Sequence, residues 1–244
     1  IDARKLAGVA RNAPSFHARV LQNKTLLDAL EHLSGHLHNV EVNKVREAAR
    51  MAIDEIARAN DEASSPVERV LVEILFNKVR DLAGNDQLSK RYDRDYFDNQ
   101  LEIAKTLFAH GLYMQGFTVL REFIASIGMI RETSEIGSRK GIDGRRRADL
   151  FVRVVQFVPF EPKGEDDQRM YESMKPLAND LISCGAMDVL RNSIGPLIKI
   201  RNGFDHAWTG AREKNWDLAA KSQEMLGVCR IALDMIDRAN LLNS

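Results

Sequence analysis

An arginine, an asparagine and a histidine lie close together near the C-terminus, in the segment Arg201-Asn202-Gly203-Phe204-Asp205-His206-Ala207. Arginine stays protonated and presents a planar fork that matches phosphate oxygens. Histidine titrates near neutral pH, so it can take a proton from a ribose 2′-OH or give one to a leaving 5′-oxygen. Arg201, Asn202 and His206 therefore predict cleavage of an RNA phosphodiester without a metal ion.

The spacing of the arginine and the histidine is by itself weak evidence, because chance gives about 0.6 such pairs in a chain of this composition. Requiring an asparagine directly after the arginine lowers that number about twentyfold. The alternative interpretation is structural. Arg201 and Asp205 are four residues apart, and an exposed ion pair at that spacing contributes only about 0.3 to 0.5 kcal/mol.

The positions of the three residues on a helix predict a shared site. Asn202 and His206 are four residues apart and lie on one helical face, so the amide can orient the imidazole or contact RNA. Arg201 and His206 are separated by about 140° around the helix axis. One copy of the chain then supplies half of the groups that surround a phosphate, which favours a composite site in a twofold homodimer.

A second group of basic residues lies upstream in a glycine-containing stretch: Arg139, Lys140, Arg145, Arg146 and Arg147. We expect a surface loop or helix entry there, whose side chains bind RNA phosphates with little sequence preference. The alternative is a solvated segment whose charges are balanced by Asp143 and Asp149.

Other residue types that could hold a metal ion or a cofactor are arranged less favourably. His32, His36 and His38 lie beside Glu31, but no paired carboxylate or HExxH order accompanies them. The two cysteines, Cys184 and Cys229, form no CxxC motif, so we expect reduced core residues. No glycine-rich nucleotide-binding motif is present. We therefore predict no metal ion and no other cofactor.

The elements that must position these residues are predicted to be helices, since apolar residues recur at helical spacing almost throughout. Ser65-Pro66-Val67-Glu68 predicts a capped helix start, and Gly84 its end. A glycine at 111 predicts an antiparallel helical hairpin between about 94 and 127. Further helices are expected at about 145–158, 165–183, 187–208 and 213–242. We predict an N-terminal helical region, 1–64, and one helical domain, 65–244.

Composition limits the class of protein. A chain of 244 residues with 44% hydrophobic side chains can bury a core. Its 35 basic and 35 acidic residues cancel, so a polyanion must be met by a local patch. No signal peptide or membrane-spanning stretch is recognisable, and we expect a cytoplasmic protein with no membrane partner. Because the first residue is Ile1, we expect that a domain precedes it.

Two segments resemble a known family. Leu101 to Ile130, with Gly111 and Leu120-Arg121-Glu122, resembles the helix-glycine-helix of the CRISPR-associated CARF-HEPN ribonucleases. Arg201 to Ala207 then lies where that family has its catalytic RNxxxH motif. The resemblance implies an all-α HEPN bundle, a homodimer that cleaves single-stranded RNA without metal in antiviral defence, and a cyclic-oligoadenylate-sensing domain upstream of Ile1.

One residue departs from that family's pattern, because Asp205 stands where a small or apolar residue is frequent. Its carboxylate could raise the pKa of His206 or pair with Arg201. Two alternatives to a sensor-linked ribonuclease remain. One is a HEPN toxin held inactive by an antitoxin, and the other is a non-catalytic HEPN module that binds RNA or a protein partner. The residues before Ile1 would distinguish the sensor-linked ribonuclease from the toxin.

Overall fold

A computed structural model describes residues 22–84, 91–131, 141–205 and 217–243 of the chain. For residues 141–143, 204, 205 and 243, the backbone is described and the side chain is not. All regular structure in these ranges is helical, with nine α-helices and one short 3-10 turn. The predicted all-α fold class is therefore confirmed. In the same ranges, no helix combines the length and the apolar character that crossing a bilayer requires.

The chain divides into two compact units, Ile1–Leu88 and Ser89–Ser244. The described part of the first unit holds three helices: α1 (Lys24–His38), α2 (Val42–Glu62) and α3 (Pro66–Ala83). Helix α2 packs against both α1 and α3. The division differs from the predicted boundary at residue 65, because α3 packs against α2 and so belongs to the first unit.

The ends of α3 follow the predicted signals. The Ser65 hydroxyl accepts a hydrogen bond from the Glu68 backbone N–H at 3.2 Å, and the Glu68 carboxylate accepts one from the Ser65 N–H at 3.0 Å. Pro66 occupies the first turn, where its missing N–H is not needed. Gly84 follows the last turn at φ 62°, a conformation that glycine adopts readily. The capping box and the glycine stop are both confirmed.

The described part of the second unit contains the remaining helices: α4 (Arg94–Ala109), α5 (Tyr113–Ile127), α6 (Gly141–Gln156), α7 (Glu165–Ser183), α8 (Ala186–Asp205) and α9 (Leu218–Arg238). A 3-10 turn, Leu241–Asn243, follows α9. Helices α4 and α5 pack against each other across Gly111, which has a φ of 72°. The predicted helical hairpin is confirmed, and Phe97, Phe117 and Phe123 are fully buried, as expected of core aromatics.

Helix α8 is central to this unit, since it packs against α5, α6, α7 and α9. Its apolar residues recur at helical spacing and are buried: Met187, Leu190, Ile194, Leu197 and Ile200. Burying each such side chain stabilises the fold by roughly 1.5 to 3 kcal/mol. The opposite face stays exposed at Asn192, Lys199 and Asn202. Helix α8 is therefore a rigid support for any polar group near its end.

Candidate active site

Arg201 and Asn202 lie near the C-terminal end of α8. They come directly after Ile200, which is fully buried and fixes the backbone at this point. Arg201 is half-buried and Asn202 is exposed. Partial burial suits an arginine that binds a phosphate, because it limits the motion of the side chain and excludes some water.

The histidine of the motif, His206, comes directly after the last described residue of α8. The helix is described to Asp205, whereas His206 and Trp208 lie outside the described residues, as does the side chain of Asp205. The structure therefore brings Arg201 and Asn202 together on one helix. Both the Asn202–His206 arrangement and the alternative Arg201–Asp205 ion pair stay predictions.

Lys199 is a basic residue near the motif that sequence reasoning missed. It is exposed, and it forms no hydrogen bond or ion pair with any described residue. Lys199 and Asn202 are three residues apart, so they are neighbours on the helix surface. The three-residue spacing is the sequence signal that relates Lys199 to the motif, although a single lysine does not form a motif by itself. Lys199 adds a positive charge on the Asn202 face of α8.

In the second predicted basic cluster, two of the described arginines lie close to carboxylates. Arg139 and Lys140 lie outside the described residues. Arg145 is largely exposed and lies 3.9 Å from a carboxylate oxygen of Asp149. Arg146 is bound by two carboxylates from α7, at 3.3 Å from Asp166 and 2.9 Å from Asp167. Arg145 is thus the described member of the predicted RNA-binding set that is most accessible to a phosphate.

Arg147 requires a correction, because the sequence predicted an RNA contact and the structure buries this side chain. Its guanidinium donates a hydrogen bond to the backbone carbonyl of Gly128 at 3.0 Å and another to the Ser173 hydroxyl at 2.6 Å. Arg147 therefore joins α6 to α7 and to the turn after α5. A side chain held in this way does not reach solvent to bind RNA.

Asp167 of α7 forms ion pairs with two arginines of α6. It is nearly buried and accepts hydrogen bonds from Arg153 at 2.6 Å and from Arg146 at 2.9 Å. These hydrogen bonds, from Arg153 first and Arg146 second, lower the pKa of Asp167 below its ordinary value of 3.8. The carboxylate is therefore ionised at neutral pH, and it neutralises arginine charge that the sequence assigned to RNA.

Possible metal ligands and the two cysteines were the other reactive side chains that the sequence offered. Across the described ranges, no three histidine, cysteine, aspartate or glutamate side chains are grouped so that they could hold a metal ion. Cys229 is buried, as predicted, and burial raises the pKa of its thiol to about 12. Such a thiol is unreactive at neutral pH. Cys184 is only half-buried and also carries a free thiol.

No family model, curated protein or solved structure matches this chain.

Proposed function

We propose that this chain is a metal-independent endoribonuclease that cleaves single-stranded RNA with Arg201, Asn202 and His206. The observation that carries the proposal is the position of Arg201 and Asn202 near the end of a helix whose apolar side is fully buried. A phosphate bound there meets a fixed charge rather than a flexible one. Such preorganisation lowers the barrier because the groups need not reorganise during the reaction.

The reaction would be an internal transesterification. The ribose 2′-oxygen attacks the adjacent phosphorus, the new O2′–P bond forms, and the P–O5′ bond breaks. The proton of the 2′-OH passes to a general base, and a general acid protonates the departing 5′-oxygen. The products are a 2′,3′-cyclic phosphate and a 5′-OH, with water taking no part in the cleavage step.

Each residue type has a role in this reaction. Arg201 would hold the phosphate and stabilise the negative charge that builds on its oxygens in the transition state. His206 would transfer a proton, since imidazole is the side chain whose pKa lies nearest to neutral pH. Asn202 would orient the imidazole or the RNA. Lys199 would contact a neighbouring phosphate and add binding without sequence preference.

The active unit in this proposal is a homodimer. One histidine cannot act on both sides of the phosphate at once, so the second proton-transfer group would come from a second copy of the chain. Gly195 on α8 supports such an approach, because a Cβ atom added there has no neighbour within 4 Å, so the chain itself does not cover this point of the helix. A twofold axis near this point would bring both Arg201-Asn202 pairs to one groove.

The biological setting that fits the resemblance is CRISPR-associated antiviral defence, with activity controlled by an upstream domain that senses cyclic oligoadenylate. The support for this setting is the helix-glycine-helix of α4 and α5, including Leu120-Arg121-Glu122, together with the motif on α8. In the structure, Arg121 forms ion pairs with Glu122 and with Asp149 of α6, both at 2.8 Å. That arrangement gives Arg121 a role in joining α5 to α6.

The direct test is to incubate the full chain with single-stranded RNA in excess EDTA and to identify the new ends. We expect fragments with a 2′,3′-cyclic phosphate and a 5′-OH, at a rate unchanged by the chelator. Loss of cleavage on chelation would contradict the metal-independent mechanism. RNA binding by a folded dimer without any cleavage would favour the non-catalytic module instead.

A further inference from the structure

Two histidines on α1 have their rings in contact. His32 and His36 are one turn apart, and their ring centroids lie 4.8 Å from each other. His32 is exposed, whereas the side chain of His36 is only 15% exposed. The pair is therefore open to solvent on one side and anchored on the other. Both histidines lie in the first unit, Ile1–Leu88, whereas the residues of the proposed ribonuclease belong to the second, Ser89–Ser244.

A carboxylate holds one of these rings. Glu41 is the residue directly before α2, and its backbone N–H donates a hydrogen bond to the His36 carbonyl at 2.9 Å. Its side chain contacts the Nδ1 atom of His36. Residue 41 is thus attached to residue 36 through both its backbone and its side chain, and the His36 ring has a defined orientation.

The contact fixes which ring nitrogen carries the proton. An ionised carboxylate has no hydrogen to donate and only accepts hydrogen bonds, and Glu41 contacts Nδ1 of His36 through this group. Nδ1 of His36 must then be the donor. In the neutral ring the lone pair is consequently on Nε2, which is the atom that a metal ion would use.

This arrangement has the parts of a transition-metal site. Imidazole nitrogen suits Zn²⁺, Cu²⁺ and Ni²⁺ and is a poor ligand for Mg²⁺ or Ca²⁺. Histidine ligands in such sites donate their other N–H to a carboxylate, which sets the ring orientation and raises the basicity of the ligand nitrogen. Histidines four residues apart on a helix can bind one ion together.

We propose that His32 and His36 bind one divalent transition-metal ion of the zinc class, with Glu41 as the residue that positions His36. Two protein ligands leave coordination positions for water or for an exogenous ligand, so the site is open rather than structural. The sequence argued against a metal here because it has no paired carboxylate and no HExxH order. The structure adds a carboxylate of another kind, since Glu41 contacts His36 and orients its ring.

His38 provides a matched control on the same helix. It is exposed and lies two residues beyond His36, about 200° around the helix axis. It therefore points away from the pair. Any zinc binding that arises from exposed histidines in general would involve His38 as much as His32, whereas the proposed site would not.

The first experiment is calorimetric titration of the full chain with Zn²⁺ at pH 7.5, without chelating buffer. We expect one ion bound per chain, a loss of affinity of about tenfold or more in His32→Ala and His36→Ala, and a loss of about tenfold in Glu41→Gln. His38→Ala and His206→Ala should bind like the wild type. Equal losses in His32→Ala and His38→Ala, or unchanged binding in His32→Ala, would overturn the proposal.

The second experiment needs no variant of the paired histidines. Long-range proton–nitrogen NMR of the metal-free wild type reports which nitrogen of each neutral ring is protonated. We expect the Nδ1–H tautomer for His36 and a change in its Nε2 resonance when Zn²⁺ is added. A His36 ring protonated on Nε2, or resonances that do not respond to Zn²⁺, would contradict the proposed site.

Discussion

The start of α6 and the end of α8 both carry arginines that the sequence singled out, and their surroundings differ. At the start of α6, Arg146 is bound by two carboxylates of α7, and Arg147 is buried against backbone and hydroxyl oxygens. At the end of α8, the half-buried Arg201 adjoins the exposed Asn202. A run of basic residues in the sequence is therefore weak evidence for phosphate binding, because carboxylates from another helix can neutralise the positive charge.

The largest expected effect is at the end of α8. Arg201→Ala should lower the rate of RNA cleavage by about 100- to 1000-fold, because the transition state loses a charged hydrogen-bond donor. The far-UV spectrum should stay as in the wild type, since the buried Ile200 next to it packs this part of the helix into the core. Arg145→Ala is the matched control from α6 and should keep most of the activity. Equal losses of RNA cleavage in both variants would contradict the claim that the end of α8, and not the start of α6, acts on the phosphate.

Arg147→Ala should act on stability rather than on catalysis. The substitution removes two hydrogen bonds and leaves the Gly128 carbonyl without that donor, which costs about 1 to 3 kcal/mol. For a chain of this size, each kcal/mol lowers the midpoint of thermal unfolding by roughly 2 to 4 °C. Calorimetry provides the measurement. A midpoint equal to that of Arg145→Ala would show that Arg147 does not join the helices.

The ion pairs of Asp167 predict a dependence of stability on pH. The pKa of this carboxyl is lowered in the folded state, so its contribution is present above the unfolded value near 3.8 and is lost as the pH falls through the lower folded value. Asp167→Asn should therefore be less stable than the wild type by about 1 kcal/mol at pH 6. Urea unfolding should show that this difference shrinks at pH 3.

Asp166→Asn serves as the control for that measurement, because the Asp166 side chain is 65% exposed and its ion pair is more strongly screened. Its effect at pH 6 should be the smaller of the two. A difference between wild type and Asp167→Asn that grows toward low pH would have the wrong sign and would contradict the account of this carboxylate.

The smallest expected effect is at Lys199. Lys199→Ala should weaken RNA binding severalfold and lower the slope of log affinity against log salt by about 0.7, the loss of one phosphate contact on a single strand. Lys105→Ala is the control, since Lys105 is paired with Glu102 at 2.7 Å. Fluorescence anisotropy over a range of salt concentrations measures both. An unchanged slope for Lys199→Ala would show that Lys199 does not contact the RNA.

The sequence predicted those parts of the fold that depend on neighbours along the chain. Helix α7 begins and ends where periodicity placed it, at Glu165 and Ser183. The capping box at Ser65 was also recognisable. The contacts of the capping box lie within about one turn, and the apolar periodicity of α7 is likewise local, so the spacing of residue types carries the information.

The partners of the arginines could not be predicted in the same way. Arg146 reaches Asp167, and Arg147 reaches Ser173, across the packing of α6 against α7. Nothing in the local spacing fixes such contacts, since they depend on how the two helices meet. The contact between His36 and Glu41 was missed for a related reason: a turn separates the two residues, so helical periodicity does not relate them.

We propose that the motif beginning at Arg201 on α8 cleaves RNA, and the most direct test is His206→Ala. Wild type and variant should be compared as folded proteins of equal oligomeric mass, on the same single-stranded RNA in excess EDTA. We expect the variant to cleave about 100- to 10,000-fold more slowly, which is the range that general acid–base catalysis contributes. Cleavage at the wild-type rate by folded His206→Ala would contradict the claim.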